Sequence, residues 1–235
     1  MKIDISIVSK REESRYNVLM TGVVWPIYPR EKVKVSATFL DPAYPSVRKN
    51  LGLSADEHPG IDINVLGTSG NEDLGYPVVA MSEGMVLRAR KHRVWGNVVL
   101  IHHPTLRKLL SLDHEVYTQY AHLHQVCVSE GGYVYPGFPI GSIGRGDPLC
   151  PFLAHLHFEI RKSGPDVIPE DYWPRYKNVI LRHYLDPVEF INKYYKPMTF
   201  SFPEASVFAD GTLLNIQGTV LVNASKPNKV FIRKV

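Results

Sequence analysis

Ala154-His155-Leu156-His157-Phe158-Glu159-Ile160 alternates apolar and polar residues with the period of a β-strand. His155 and His157 are then same-face neighbours roughly 7 Å apart at the backbone, while Leu156 and Phe158 point into a core. Both imidazoles can reach one small site. A metal ion needs further anchors, and Glu57-His58-Pro59-Gly60-Ile61-Asp62-Ile63 offers a His and an Asp four positions apart. Fully extended, those two would stand roughly 13 Å apart, too far to share an ion bound at about 2 Å. Pro59 cannot continue a ladder and Gly60 permits a bend, so the pair can fold inward before the strand of Ile61 and Ile63 begins. These two stretches are expected to meet around one zinc ion.

Catalytic zinc sites keep three protein ligands and leave a position for water. With His58, Asp62 and one histidine of the later strand as ligands, the ion keeps a net charge of about +1 and lowers the pKa of its water toward neutrality. The second histidine of the pair is then free to hold that water, take its proton, or stabilise the oxyanion formed at an attacked carbonyl. His122 could do the same from a neighbouring strand. His122-Leu123-His124 repeats the spacing of His155-Leu156-His157, and spacing does not say which member faces the site. Glu159, on the same face as His157, is set to orient that ligand. Taken alone, the His58–Asp62 pair and the His155–His157 pair are each more often an ordinary structural feature. His92, His102, His103, His114 and His183 are read that way, and Tyr120 as a sheet aromatic.

The elements that must bring these residues together are short strands punctuated by glycine and proline. Val23 to Ile27 and Val33 to Phe39 read as two strands, followed by a loop or short helix that delivers His58. Ile61, Ile63 and Val65 alternate; Pro77 to Ala80 and Gly84 to Ala89 flank Ser82-Glu83-Gly84 as a hairpin. Val98 to Ile101 is an apolar run. Glu115 to His124 alternates, with Val116, Thr118, Tyr120, His122 and His124 on one face. Strands at Tyr133 to Pro136 and Phe138 to Gly144 precede the histidine strand. A helical turn is expected at Leu106 to Leu110, and a helix after Asp186, an N-cap with Pro187 at the first helical position. This spacing predicts an all-β, mainly antiparallel sheet or sandwich with short helical insertions. Residues 1–19 form an N-terminal arm, 20–195 the domain holding the site, and 196–235 a small β-rich C-terminal appendage.

The composition of the 235 residues, 44% hydrophobic and 21% charged, is that of a chain able to bury a sizeable core. The net charge of +4 is dispersed rather than gathered into basic runs; it is a weak hint of an anionic partner or cell surface, most chains of this charge bind neither, and no nucleic-acid partner is expected. No apolar run is long enough to span a membrane. The amino terminus lacks the apolar centre of a secretory signal, so either the chain is not exported by that route or a signal was trimmed. Cys127 and Cys150 could form at most one bridge and do not define a redox compartment.

The ordered set of His58-Pro59-Gly60-Ile61-Asp62-Ile63, Gly75 to Ala80, Gly84-Met85-Val86, Gly96 to Ile101, Tyr120-Ala121-His122-Leu123, the turn Gly132 to Gly144, and Ala154 to Glu159 resembles the lysostaphin and LytM-type zinc endopeptidases that cut peptidoglycan cross-links. The resemblance spans roughly residues 33 to 162. It implies that His58, Asp62 and His157 bind one zinc ion while His122 and His155 assist the water and the transition state. It further implies a peptidoglycan peptide as substrate, hydrolysed at an amide bond at the bacterial cell wall. Three segments depart from the pattern: Asp147 to Ala154 before the paired histidines, Pro104 to His114, and Ser163 to Leu185, all expected to border the cleft. Alternatives are a non-catalytic wall-binding or hydrolase-regulating module, and a wall-cutting component of a phage particle. Oligomeric state is not legible.

Overall fold

In a computed structural model, residues 3–6, 19–93, 95–146, 152–201, 220–222 and 229–232 are described. One antiparallel sheet organises the chain. Its strands, in spatial order, are β3 (Val33–Ala37), β4 (Ile61–Val65), β11 (Leu156–Arg161), β8 (Tyr117–Val126), β7 (Gly96–His102), β6 (Gly84–His92) and β9 (Tyr133–Val134). Off this path, β10 (Pro139–Ile143) pairs with both β8 and β5 (Pro77–Val79), and β12 (Tyr184–Leu185) pairs with the end of β11. The helices α1 (Tyr44–Asn50), α2 (Pro104–Leu109), α3 (Lys177–His183) and α4 (Pro187–Tyr194) are short. The expected antiparallel sheet with brief helical insertions is therefore the observed fold.

The core lies against one face of this sheet. Ile61, Ile63, Leu156, Phe158 and Ile160 fill it by the alternation their strands impose. Helix α4 closes one side. Asp186 caps it by accepting from the Val188 and Glu189 amides, Pro187 takes the first turn, and Phe190 and Ile191 are buried. Outside the main sheet, β2 (Leu19–Val23) pairs with β13 (Lys196–Ser201), and β1 (Ile3–Ser6) and β14 (Val220–Val222) flank β15 (Lys229–Ile232). The expected strand at Leu213 to Ile216 lies outside the described residues.

Three local readings are corrected. Strand β2 stops at Val23, so Val24 to Ile27 is not strand, although Val24 N–H still donates to the Met81 carbonyl. Ser82-Glu83-Gly84 is not a hairpin turn, because β5 pairs with β10 while β6 pairs with β7 and β9. The chain crosses from one set of partners to another, and Gly84 lies so close to the His102 carbonyl that any Cβ would collide with it. The third correction concerns β8. His122 sits at φ +61, in the left-handed region, and the pairing register of β8 slips around it on both sides. Tyr120 and Leu123 both belong to the core as a result, so His122 leaves the face that strict alternation would share with Tyr120.

Candidate metal centre and cleft

Pairing of β4 with β11 sets Asp62 opposite His157, and pairing of β11 with β8 sets Ala121 on its other side. His58 enters over the bend at Pro59 and Gly60. Gly60 is required there for closeness rather than for a left-handed conformation, since a Cβ would collide with the Phe158 carbonyl oxygen of β11. His58 Nδ1–H donates to the Thr38 carbonyl at 2.8 Å, which leaves the Nε2 lone pair facing inward. That Nε2 is 3.1 Å from His157 Nδ1 and 3.2 Å from Asp62 Oδ1; the last two atoms are 3.0 Å apart. Three ligand-type atoms thus share one point, and they form the cluster with metal-binding geometry found among the described residues.

Both imidazoles of the cluster are held from behind. His157 Nε2–H donates to Glu159 Oε1 at 3.0 Å, and Arg161 Nε donates to Glu159 Oε2 at 2.7 Å. Arg161 is held in turn by the carbonyls of Ile168 and Pro169. His58, His157, Glu159 and Arg161 are fully buried. Burial opposes ionisation of Asp62, but facing His58 and His155 and the hydrogen bond to His157 outweigh it, holding the carboxyl well below the usual carboxylate range. Burial likewise opposes ionisation of Glu159, and the charges of Arg161 and His157 overcome it. Two imidazoles with their outer nitrogens committed, and one ionised carboxylate, are a donor set that fits a small divalent cation with affinity for nitrogen and oxygen.

Two more imidazoles adjoin the cluster. His122 Nδ1–H donates to the Trp95 carbonyl at 3.0 Å, and its ring centroid is 4.8 Å from that of His155 and 5.9 Å from that of His157. Burial first, then nearby His155 and His157, hold His122 well below the ordinary histidine value, so the ring is neutral. His155 Nδ1–H donates to the Leu153 carbonyl, and its Nε2 is 3.7 Å from Asp62 Oδ1. Asp62, His122 and His155 open onto a cleft of about 770 Å³ whose walls include Tyr44, Trp95, Phe152 and Trp173. A smaller polar groove of about 260 Å³, bordered by Lys34, Ser36, Asn64 and Thr68, shares Asp62 and His155 with it. The cluster therefore sits at the junction of two grooves.

Residues 56–169 match the peptidase family M23. This stretch, just under half of the chain, is similar to an M23 peptidase domain. The peptidoglycan DD-endopeptidase ShyB of Vibrio cholerae is 33% identical over 94 residues, covering 40% of this chain and 20% of ShyB. The murein hydrolase activator NlpD of Salmonella dublin is 31% identical over 130 residues, covering 55% of this chain and 29% of NlpD. The chain spans less than a third of the length of these curated relatives. A zinc-containing peptidase from Vibrio cholerae aligns at 26% identity and a TM-score of 0.43, over 60% of this chain and 36% of that one. Among the described residues, no helix of this chain is long and apolar enough to cross a membrane.

All five polar positions expected to carry chemistry fall inside the M23 match, and the fold brings them together. His124 is turned outward and exposed, so the left-handed residue decides which member of His122-Leu123-His124 faces the cluster. His102 pairs with Glu115, and His183 with Ser163, away from the site. His103 and Tyr120 belong to a core polar chain: Met81 N–H donates to Tyr120 Oη, which donates to Thr118 Oγ1, which donates to His103 Nε2.

The expectation that all three departing segments border the cleft is corrected. Residues 104–114 form α2 and its turn and contribute none of the cleft lining. The helix packs Leu106 into the core instead. Phe152 and Leu153 of the first segment do line the cleft, while 147–151, with Cys150, lie outside the described residues. The segment between Ser163 and Leu185 reaches it through Asp171, Tyr172, Trp173 and Arg175.

Sequence reasoning missed the aromatic surround and Arg161. Tyr44 stacks on His58 with ring centroids 3.9 Å apart, and Trp173 lies 5.5 Å from His157. Trp173 Nε1–H donates to the Glu57 carbonyl, and Trp95 Nε1–H to that of Asp171, which ties the 163–185 segment over the cluster. No local pattern marks those contacts. Arg161 was within reach, because the alternation of His155, His157 and Glu159 extends one step to it.

Proposed function

We propose that this domain is a zinc-dependent endopeptidase that hydrolyses an amide bond in peptidoglycan cross-links or stem peptides, with one zinc ion per chain. The observation that carries the reading is the convergence of His58 Nε2, Asp62 Oδ1 and His157 Nδ1 within 3.2 Å of one another, beside two further imidazoles at the floor of an open cleft. Zinc held by these three residues would supply Lewis-acid polarisation of the scissile carbonyl and of a water. His122, kept neutral, has its Nε2 available to accept a proton from that water, with Nδ1 anchored on the Trp95 carbonyl. His155, similarly anchored on Leu153, is available to stabilise charge on the carbonyl oxygen, and the proton that His122 takes from the water is the one returned to the leaving amine. Glu159 and Arg161 hold the His157 ring in the tautomer that offers Nδ1. Trp95, Trp173 and Tyr44 exclude bulk water from the ligands' outer sides.

Support for the substrate comes from the family and from the endopeptidase relative, so the domain is proposed to act at the bacterial cell wall. A second reading, regulation of another hydrolase without catalysis, is supported by the 31% identity with a murein hydrolase activator. Clearing of purified cell walls separates the two. The enzyme clears them, stops with a chelator and resumes with zinc; a regulator alone leaves them intact in every arm. Mass analysis of the released muropeptides then identifies the bond.

A further inference from the structure

The larger groove carries a charge pattern that the chemistry at the cluster does not use. Three guanidinium side chains line it, Arg48, Arg93 and Arg175. Arg48 is spoken for: it lies 3.4 Å from Asp56, bonds Ser54, and sits 4.4 Å over the Trp173 ring. Two acidic residues besides Asp62 line the groove, Asp56 facing Arg48 and Asp171 facing His92 at 4.0 Å. Among the described residues, neither Arg93 nor Arg175 has an acidic partner within 4.0 Å or a side-chain hydrogen bond. Both are exposed to the groove, one from the turn between β6 and β7, the other from the 163–185 segment. The second groove, across Asp62 and His155, has Lys34 as the one Lys or Arg in its lining, beside Ser36, Asn64, Thr68 and Ser69 and the apolar Leu153 and Ala154. The two sides of the cluster are thus unlike: one wide and aromatic with two guanidiniums that lack an acidic partner among the described residues, the other smaller and without an aromatic wall.

We infer that Arg93 and Arg175 form a carboxylate-recognition subsite, so that the peptide bound in the larger groove carries a free carboxylate on a residue near the scissile amide. This rests on the proposed action on peptidoglycan peptides and names which part of such a peptide that groove selects. A guanidinium offers paired N–H donors that match a carboxylate in geometry and charge. A carboxamide in the same place keeps the shape and loses the charge.

The test measures binding rather than turnover, so it stands whether or not the chain cleaves. Product-side stem-peptide fragments, which lack the scissile bond, are titrated calorimetrically into the zinc-loaded full chain in matched free-carboxylate and carboxamide forms. The carboxylate form is expected to bind about tenfold tighter or more, as for a charge-assisted hydrogen bond. Arg93→Gln combined with Arg175→Gln is expected to remove that preference, leaving carboxamide affinity and zinc content unchanged. Equal binding of the two forms, absence of binding by both, or a preference that survives the double substitution overturns the inference. Failure of wall clearing with the preference intact would instead overturn the catalytic reading alone.

Discussion

The Nε2 atom of His58 lies 3.1 Å from the Nδ1 atom of His157, across 99 positions of chain. Asp62 Oδ1 lies within 3.2 Å of both, and at the proposed zinc site the loss of any one of these three donors is expected to lower metal affinity steeply. His58→Ala and His157→Ala are each expected to abolish tight zinc binding and wall clearing together. His155→Ala is expected to retain stoichiometric zinc while the rate falls by roughly 10²–10⁴-fold. Elemental analysis of the purified variants beside a clearing assay checks this; stoichiometric zinc in His157→Ala would show the ligand set to be wrong.

Glu159 acts through His157. Its replacement in Glu159→Gln keeps the shape but removes the charge that orients the ring, and zinc affinity is expected to fall by roughly 10–100-fold. The substitution also leaves Arg161 buried without its carboxylate, which costs about 3–5 kcal/mol of stability. Chelator competition gives the affinity and urea unfolding the stability. An unchanged zinc affinity in the folded variant would remove Glu159 from this role.

Gly60→Ala is expected to destabilise the fold by roughly 1–3 kcal/mol and to weaken zinc binding, because the added methyl meets backbone of β11 that cannot yield as a side chain would. Wild-type melting temperature and zinc content in the variant would show that the bend can relax without moving His58.

His103 sets a pH dependence of stability. Burial outweighs its hydrogen bond to the Glu83 carbonyl and lowers its pKa to about 4, against 6.5 in an unfolded chain. The folded state therefore holds a neutral ring where the unfolded state takes up a proton. This contribution is complete above pH 6.5 and is lost progressively as the pH falls toward 4, by about 3 kcal/mol in all. Urea midpoints at pH 7, 6, 5 and 4.5 with chelator present should fall, and His103→Asn should flatten the decline. Parallel curves for variant and wild type would exclude His103 as the source.

The histidine strand was legible because its signal is local. Successive side chains of a strand must point to opposite faces, so the order of residues in β11 by itself sends Leu156 and Phe158 into the core and lines His155, His157, Glu159 and Arg161 along the other face. The antiparallel fold, the bend before Asp62 and the cap at Asp186 were determined in the same way, by constraints acting over a few bonds. Tertiary structure decided what alternation cannot. The left-handed residue at His122 changes the phase of β8 within a single residue, and it lifts that ring out of Tyr120's face into the cleft. Pairing of β4 with β11 decided that His157, and not His155, brings its Nδ1 within hydrogen-bond distance of Asp62 and His58. The wall of Tyr44, Trp95 and Trp173 arises because segments distant in sequence dock on one sheet face, and such docking depends on shape across the whole fold rather than on any spacing along the chain.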